Sequence, residues 1–326
     1  MSLHLVPRGL QYIEAVAEHG SIQAASRAIG IAASAIDRQI KLLEDRLGVQ
    51  LFDRMNTGMT LSPVGEMFVV LARRWKADEN RIWSDVKQMQ GVDLGHVRLV
   101  TMDSLVNGVL PRFLHHVAEV YPKVRIDVEV ATPDDAMSTL DAGNADVALT
   151  FNLRAQRDVH VIWSAELPLH CVVAPDHPLA EHRQIGLAKV RDHAIAVQSP
   201  ALAIRRILEA RHGWMFSEGR PPVVTNSLQL LKQLVVSGSH VALTSELDTA
   251  QELLDGRLVA IPVTGQNILL QNIALAISSR RALPRIAIMV ADLLVGDTAT
   301  MLDEVRARCL ESRSENADWA PPTDSS

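Results

Sequence analysis

Leu47-Gly48-Val49-Gln50-Leu51-Phe52-Asp53-Arg54 closes a helical pattern and opens a strand, and the segment around it, Gln11 to Gly65, decides how the N-terminal part folds. Upstream, Leu10, Ile13, Val16 and Ala17 recur at helical spacing until His19-Gly20, where a glycine stops the helix. Ser21 then caps a short second helix that carries the small residues Ala24, Ala25 and Ala28 and ends at Gly30. A third helix, from about Ala33 to Leu47, sets Ile36, Ile40, Leu43 and Leu47 on one face, with Arg38, Gln39 and Lys41 elsewhere, and stops at Gly48. Two short helices about a glycine turn, the second polar in its N-terminal half, are the layout that lays a recognition helix in the DNA major groove; a plain three-helix bundle has the same periodicity.

The continuation separates these two readings. Leu51-Phe52-Asp53-Arg54 has a strand pattern, Asn56-Thr57-Gly58 a turn, and Thr60-Leu61-Ser62 a return, so a small wing is expected beside the third helix with Arg54 at its base, placed for a phosphate. Ser62-Pro63 supplies an N-cap and a first-turn proline for a helix reaching about Gln90, roughly 43 Å at about 1.5 Å per residue. Phe68, Trp75, Ile82 and Met89 lie seven apart on it and Leu71 shares their face, so these five residues are the expected dimerisation seam.

Charge is neutral on the question of DNA. Residues 1 to 90 carry eleven Lys+Arg against ten Asp+Glu, a net of +1, and the remainder carries −7, which accounts for the −6 of the whole chain. Affinity for a polyanion must then come from placed side chains and helix ends. No run of about 18 uncharged apolar residues suggests a membrane span, and the first residues lack the zones of a secretory signal, so a cytoplasmic protein is expected. Cys171 and Cys309 stand far apart without metal or redox spacing and are expected to be buried thiols.

From about Gly95 the pattern changes. Val97-Arg98-Leu99-Val100, Val124 to Val130 and Ala145 to Leu149 read as strands between helices, and Leu169 to Val173, Ile195 to Val197 and Val241 to Leu243 follow, implying a mostly parallel α/β sheet. Leu140-Asp141-Ala142-Gly143 before Val147-Ala148-Leu149-Thr150 echoes Leu234 to Gly238 before Val241-Ala242-Leu243-Thr244, as two similar lobes would. Ser104, Thr132-Pro133, Ser199-Pro200 and Asn226-Ser227 each stand where a strand gives way to a helix. Singly each is a cap, Ser104 for the helix through Leu110-Pro111; together they line a cleft with hydroxyls and N–H groups suited to a small polar or anionic ligand. Arg205 and Arg206 could pair with a carboxylate or face solvent, whereas Asp103, Asp134 and Asp135 would repel an anion or hold an ammonium group; an amino-acid-like ligand would satisfy both signs.

Taken together, Ala15-Val16-Ala17-Glu18-His19-Gly20-Ser21, Ala24-Ala25, Arg38-Gln39-Ile40, Leu43-Glu44, Leu47 through Arg54, and Leu61-Ser62 with Gly65 resemble the winged helix-turn-helix of LysR-type transcriptional regulators. The departures are Ala32-Ala33, where the family usually opens its recognition helix with Ser-Gln, and Asp37, where it has Ser. They remove readout groups for adenine and phosphate. The resemblance implies DNA-facing positions at Ser21, Ala33, Ser34, Asp37, Arg38, Lys41 and Arg54. It continues through Leu110-Pro111-Arg112-Phe113, Tyr121-Pro122, Leu140 with Gly143 and Asp146, and Val173 to Leu179, implying a two-lobed effector domain like the periplasmic binding proteins of type 2, with effector contacts at Ser104, Thr132, Ser199 and Thr225 and a two-strand hinge near Ala165 to Pro168 and Leu270 to Asn272.

The expected division is a winged helix-turn-helix over 1–61, a linker helix over 62–91, and an effector domain over 92–310. Its first lobe takes 92–167 and 271–310, its second 168–270, and a polar, disordered tail covers 311–326. The expected partners are double-stranded DNA, an unknown small-molecule effector, and further copies of the chain in a dimer or tetramer. Glycine-rich phosphate loops, Gly-x-Ser-x-Gly and His-Glu-x-x-His are all missing from the sequence, so no catalytic residue, metal site or cofactor is expected. A two-lobed α/β enzyme and a ligand-binding module without DNA binding are the competing classes; the first predicts turnover, the second effector binding alone.

Overall fold

The structure, a computed structural model, describes residues 5–55, 58–89, 95–153, 158–200, 202–217, 222–265, 270–279 and 282–315. Three helices, α1 (Arg8–His19), α2 (Ile22–Ile29) and α3 (Ala33–Leu47), precede a two-stranded wing, β1 (Phe52–Met55) and β2 (Gly58–Leu61), paired Phe52 to Leu61. Ser21 caps α2 by accepting from Ala24 N at 3.2 Å, and Gly20, Gly30 and Gly48 all end their helices in the left-handed region. Ile13, Val16, Ala25, Ile36, Ile40, Leu51 and Phe52 form the core of this unit. Each large side chain removed from water there contributes about 1.5–3 kcal/mol.

The face expected of α3 needs one correction. Leu47 is 44 % exposed, while the charged Glu44 is 6 % exposed. Its Oε1 accepts from Leu51 N at 2.8 Å and Phe52 N at 3.4 Å, so the carboxylate satisfies the chain where it leaves α3 for the wing.

The linker helix α4 (Pro63–Met89) is opened by Ser62, whose Oγ accepts from Gly65 N at 3.0 Å and donates to Gln50 O at 2.7 Å. The expected seam divides along its length. Phe68 and Leu71 pack half-buried on the chain's own N-terminal core, while Trp75 and Ile82 stay exposed at 43 % each, joined by Val86. The side chains of Met89 and Arg54 lie outside the described residues.

Beyond α4 are two mixed sheets. The first contains β3 (Gly95–Thr101), β4 (Val124–Val130), β5 (Val147–Phe151), β6 (Val159–Leu167) and, from late in the chain, β13 (Gln271–Ser278), in the order β4-β3-β5-β13-β6. Helices α5 (Val109–Val120) and α6 (Pro133–Asp141) cover it. The second, β10-β9-β11-β7-β12-β8, comprises β7 (Leu169–Val173), β8 (Ile185–Gly186), β9 (Ile195–Gln198), β10 (Val223–Thr225), β11 (Val241–Ser245) and β12 (Val259–Thr264). Its helices are α7 (Leu187–Arg191), α8 (Ala203–His212), α9 (Trp214–Ser217), α10 (Leu228–Val236) and α11 (Ala250–Leu254). The last helix, α12 (Arg285–Glu315), packs on α5 and β3 and also on α11.

Parallel and antiparallel pairs mix in both sheets, with β12 and β8 also parallel in the second. β4, β3 and β5 run parallel and β13 and β6 are antiparallel to their neighbours; likewise β10, β9 and β11 run parallel and β7 is antiparallel to β11. The strands that carry the chain between sheets must enter against the parallel set, which a strand-helix reading alone does not anticipate. The echo in the sequence has its counterpart here. α6 and α10 lead to β5 and β11, each lying between a parallel and an antiparallel neighbour.

The two sheets are joined where β6 ends at Leu167 and β7 begins at Leu169, beside the start of β13, with Gln271 opposite Leu167. At this crossing Arg306 of α12 donates to Glu166 O at 2.7 Å and pairs with the buried Glu246 at 3.1 Å. α12 also runs past Glu311, where the sequence suggests disorder, and Val305 and Cys309 remain buried in the hydrophobic cluster it shares with both sheets; residues 316–326 lie outside the described ones. Among the described residues no helix is long and apolar enough to cross a membrane.

Candidate nucleic-acid interface and effector cleft

On α3 the buried residues Ile36, Ile40 and Glu44 leave a free opposite side. Ser34, Arg38 and Lys41 are exposed there, with Ala33 and Asp37 half-buried beside them. Asp37 pairs with Lys41 at 2.8 Å, so the acid that departs from the expected pattern is partly offset by a base one turn on. The wing is tied to the turn before α2, since Met59 N donates to Gly20 O at 2.8 Å, which fixes Ser21 relative to β1 and β2. Arg54 lies on β1.

Between the two sheets is a cleft of about 340 Å³. The first sheet's elements contribute Met102, Asp103, Ser104, Thr132, Asp135 and Phe151; the second's contribute Gln198, Leu202, Ile204, Asn226, Leu228 and Asp248, and Gln271 comes from the crossing. Of the four hydroxyls expected in it, Ser104 and Thr132 line it and Ser199 and Thr225 do not. Ser199 N donates to Thr225 O at 2.8 Å, and Thr225 Oγ1 accepts from Ser227 N at 3.0 Å, while the Ser199 hydroxyl is buried without a hydrogen-bond partner outside the lining.

Two capping expectations also change. Ser104 sits in a single turn of 3₁₀ helix, Asp103–Leu105, while α5 starts only after Gly108; α8 starts after Leu202 rather than after Ser199. Thr132 and Ser227 do cap, accepting from Asp135 N and Leu230 N at 3.3 Å each. Neither arginine of α8 lines the cleft. Arg205 is taken by Glu209 at 2.6 Å and lies 3.7 Å over the Phe216 ring, and Arg206 reaches Asp134 at 3.3 Å.

Sequence reasoning missed Gln198, Asp248 and Gln271, which come from separate strands and turns and meet only in the folded domain. Asp248 Oδ2 accepts from Thr244 Oγ1 at 2.6 Å, Ser245 Oγ at 2.8 Å and Ser245 N at 3.1 Å. Ser104 Oγ and Gln271 Nε2 are buried without a hydrogen-bond partner. Both cysteines are buried, as expected, and burial pushes the Cys171 thiol up to about 12, which leaves essentially no thiolate at neutral pH.

Comparison with known proteins agrees with both halves. Residues 7–66 match the model of the bacterial regulatory helix-turn-helix protein of the lysR family, and residues 90–298 that of the LysR substrate binding domain. The RuBisCO operon transcriptional regulator of Allochromatium vinosum is 26 % identical over 268 residues, 81 % of this chain and 87 % of its own. A probable nitrogen assimilation transcriptional activator of Synechococcus elongatus is 27 % identical over 256 residues, covering 78 % and 82 %. Among solved structures, a full-length OxyR variant from Pseudomonas aeruginosa aligns with a TM-score of 0.66 at 19 % identity over 88 % of this chain and 93 % of its own. CbnR in complex with its target DNA aligns with a TM-score of 0.60 at 19 % identity over 89 % and 99 %. With the helix-turn-helix and the substrate-binding model matched in order along one chain, this protein belongs to the LysR family of DNA-binding transcriptional regulators with a ligand-binding effector domain.

Proposed function

We propose that α3 enters the major groove with Ser34, Arg38 and Lys41 toward the DNA, Ala33 and Asp37 at its entry, and Ser21 and Arg54 on the flanking phosphates. The observation that carries this is the two-sidedness of α3: one side is buried by Ile36, Ile40 and Glu44 and the other holds its exposed polar and basic groups. CbnR, similar in fold, was solved in complex with its target DNA, which supports DNA as the partner. The effector occupies the cleft between the sheets and acts by shifting how the two lobes sit. The working division is 1–61 for DNA, 62–91 for the linker, 92–167 with 271–310 for one lobe and 168–270 for the other.

Copies pair along α4, where Trp75, Ile82 and Val86 form an exposed apolar row of a length that suits a second helix, and pairs can join further into tetramers. Changing Trp75 and Ile82 together to Glu is expected to halve the assembled mass in sedimentation; an unchanged mass removes α4 as the pairing surface.

Fluorescence anisotropy against the intergenic DNA beside the protein's own gene, with a scrambled duplex and varied salt, tests the DNA reading. Arg38→Ala is expected to weaken binding roughly ten- to a hundredfold and, where the contact is to phosphate, to lower the salt slope by about one. Equal affinity of the variant and the unaltered protein would remove Arg38 from the interface.

A further inference from the structure

We infer that the effector of this protein is a cationic amine with an apolar body and a neutral hydrogen-bond acceptor, and that the cleft excludes simple carboxylates. This rests on the reading of the cleft as the effector site and names the chemistry it takes. Three carboxylates, Asp103, Asp135 and Asp248, line the cleft, and among the described residues no lysine or arginine does. In each, one oxygen is held by the chain: Asp103 Oδ2 by Leu228 N at 2.8 Å, Asp135 Oδ2 by Thr132 Oγ1 at 2.7 Å, and Asp248 Oδ2 by the Thr244 and Ser245 hydroxyls. None of the three pairs with a cation among the described residues. A cavity whose low-dielectric walls carry charge of one sign concentrates the opposite sign.

The helix ends point the same way. Helix N-termini are the usual seats for an anion. Here the N-terminus of α10 already carries the Asp103 carboxylate on its first N–H, and α6 begins with Pro133, which has no N–H, followed by Asp134 and Asp135. Of these three helices bordering the cleft, α8, whose N-cap Leu202 brings no side-chain acceptor, is left open.

Two further groups define the rest of the ligand. Ser104, 6 % exposed, and Gln271, 4 % exposed, line the cleft with an unpartnered hydroxyl and an unpartnered amide N–H. Such groups are stabilised when a ligand brings an acceptor. Met102, Phe151, Leu202 and Ile204 supply an apolar wall, and the volume of about 340 Å³ lies at the small end of the roughly 300–1,000 Å³ of small-molecule sites.

The test is calorimetric titration of the full chain with four compounds of one shape: 2-amino-1-phenylethanol, mandelate, 1-phenylethane-1,2-diol and phenylserine. Each is raised to roughly ten millimolar, where a dissociation constant of about 1 mM still registers. Binding of the amine above the other three, weakened at least about tenfold by Asp103→Asn or Asp135→Asn and abolished by the cleft-filling change Asn226→Trp at an exposed position, is the expected result. Stronger binding of mandelate, the diol or phenylserine that Asn226→Trp abolishes, or no binding of the amine at all, overturns the charge assignment and leaves the cleft reading standing. Binding that survives Asn226→Trp unchanged overturns the cleft as the site.

Discussion

Gly65→Ala is expected to abolish sequence-specific DNA binding while leaving the effector domain folded. Gly65 is the third residue of α4, and a Cβ there would stand 2.0 Å from Leu51 O, 3.1 Å from Leu51 C and 3.0 Å from Leu61 Cδ2. Leu51 O cannot simply move aside, because it accepts from Ser62 N at 3.0 Å while Leu51 N is held by Glu44. The helix must lift off the start of the wing instead, and that separates α4, β1 and α3, which together set the DNA-facing geometry. Overpacking against backbone belongs at or above the upper end of the usual cost of about 1–3 kcal/mol, a large share of the roughly 3–5 kcal/mol that so small a unit possesses. Anisotropy should show duplex affinity down by at least about a hundredfold, with the melting transition of the effector domain unmoved. Gly48→Ala is the control. At φ of 70° with nothing within 4 Å, it meets only backbone strain, about 1 kcal/mol. Duplex affinity of the Gly65 variant within about twofold of the unaltered protein would mean that the close approach is not needed for DNA binding.

What could be read from the sequence follows a physical line. Features fixed by near neighbours were legible: Ser21 and Thr132 cap because the N–H they accept lies three residues on, and Gly20, Gly30 and Gly48 end helices by their own φ. Gly65 was legible as a landmark only, since its reason is the Leu51 carbonyl, fourteen positions back and across a strand. Ser199-Pro200 looks like Thr132-Pro133 in sequence, yet the chain first makes a turn, with Leu202 N donating to Ser199 O at 3.0 Å, and α8 starts only at Ala203, so the two devices differ. Glu44 reads as a solvent residue by its charge. Its role appears only when Leu51 and Phe52 present two N–H groups to it. Gln198, Asp248 and Gln271 converge from three strands or turns, and no periodicity announces a meeting set by topology.

Glu252→Ala is expected to be the most destabilising change in the effector domain and to loosen the cleft from behind. Lys232 of α10 and Glu252 of α11 form a pair at 3.1 Å with both side chains 2 % exposed, so neither charge can be rescued by water. Desolvation offsets much of the attraction in such a pair, which is why its presence adds little stability; removing one partner is different, because it strands the other charge at a cost of about 3–5 kcal/mol. Arg257, 42 % exposed and 3.9 Å from Glu252, keeps Asp255 at 3.1 Å once Glu252 is lost, but Lys232 is left buried. For a domain of this size the loss corresponds to a fall of roughly 10 °C in its own melting transition. Since α10 begins with Leu228, whose N–H holds Asp103 at the cleft, ligand affinity should fall together with stability. The paired replacement Lys232→Met with Glu252→Leu separates charge from packing. It removes both ions and keeps the volume filled, and is expected to melt within about 1 kcal/mol of the unaltered protein or above it. If single and paired variants fall equally, the stranded lysine is not the cause and the loss belongs to packing between α10 and α11.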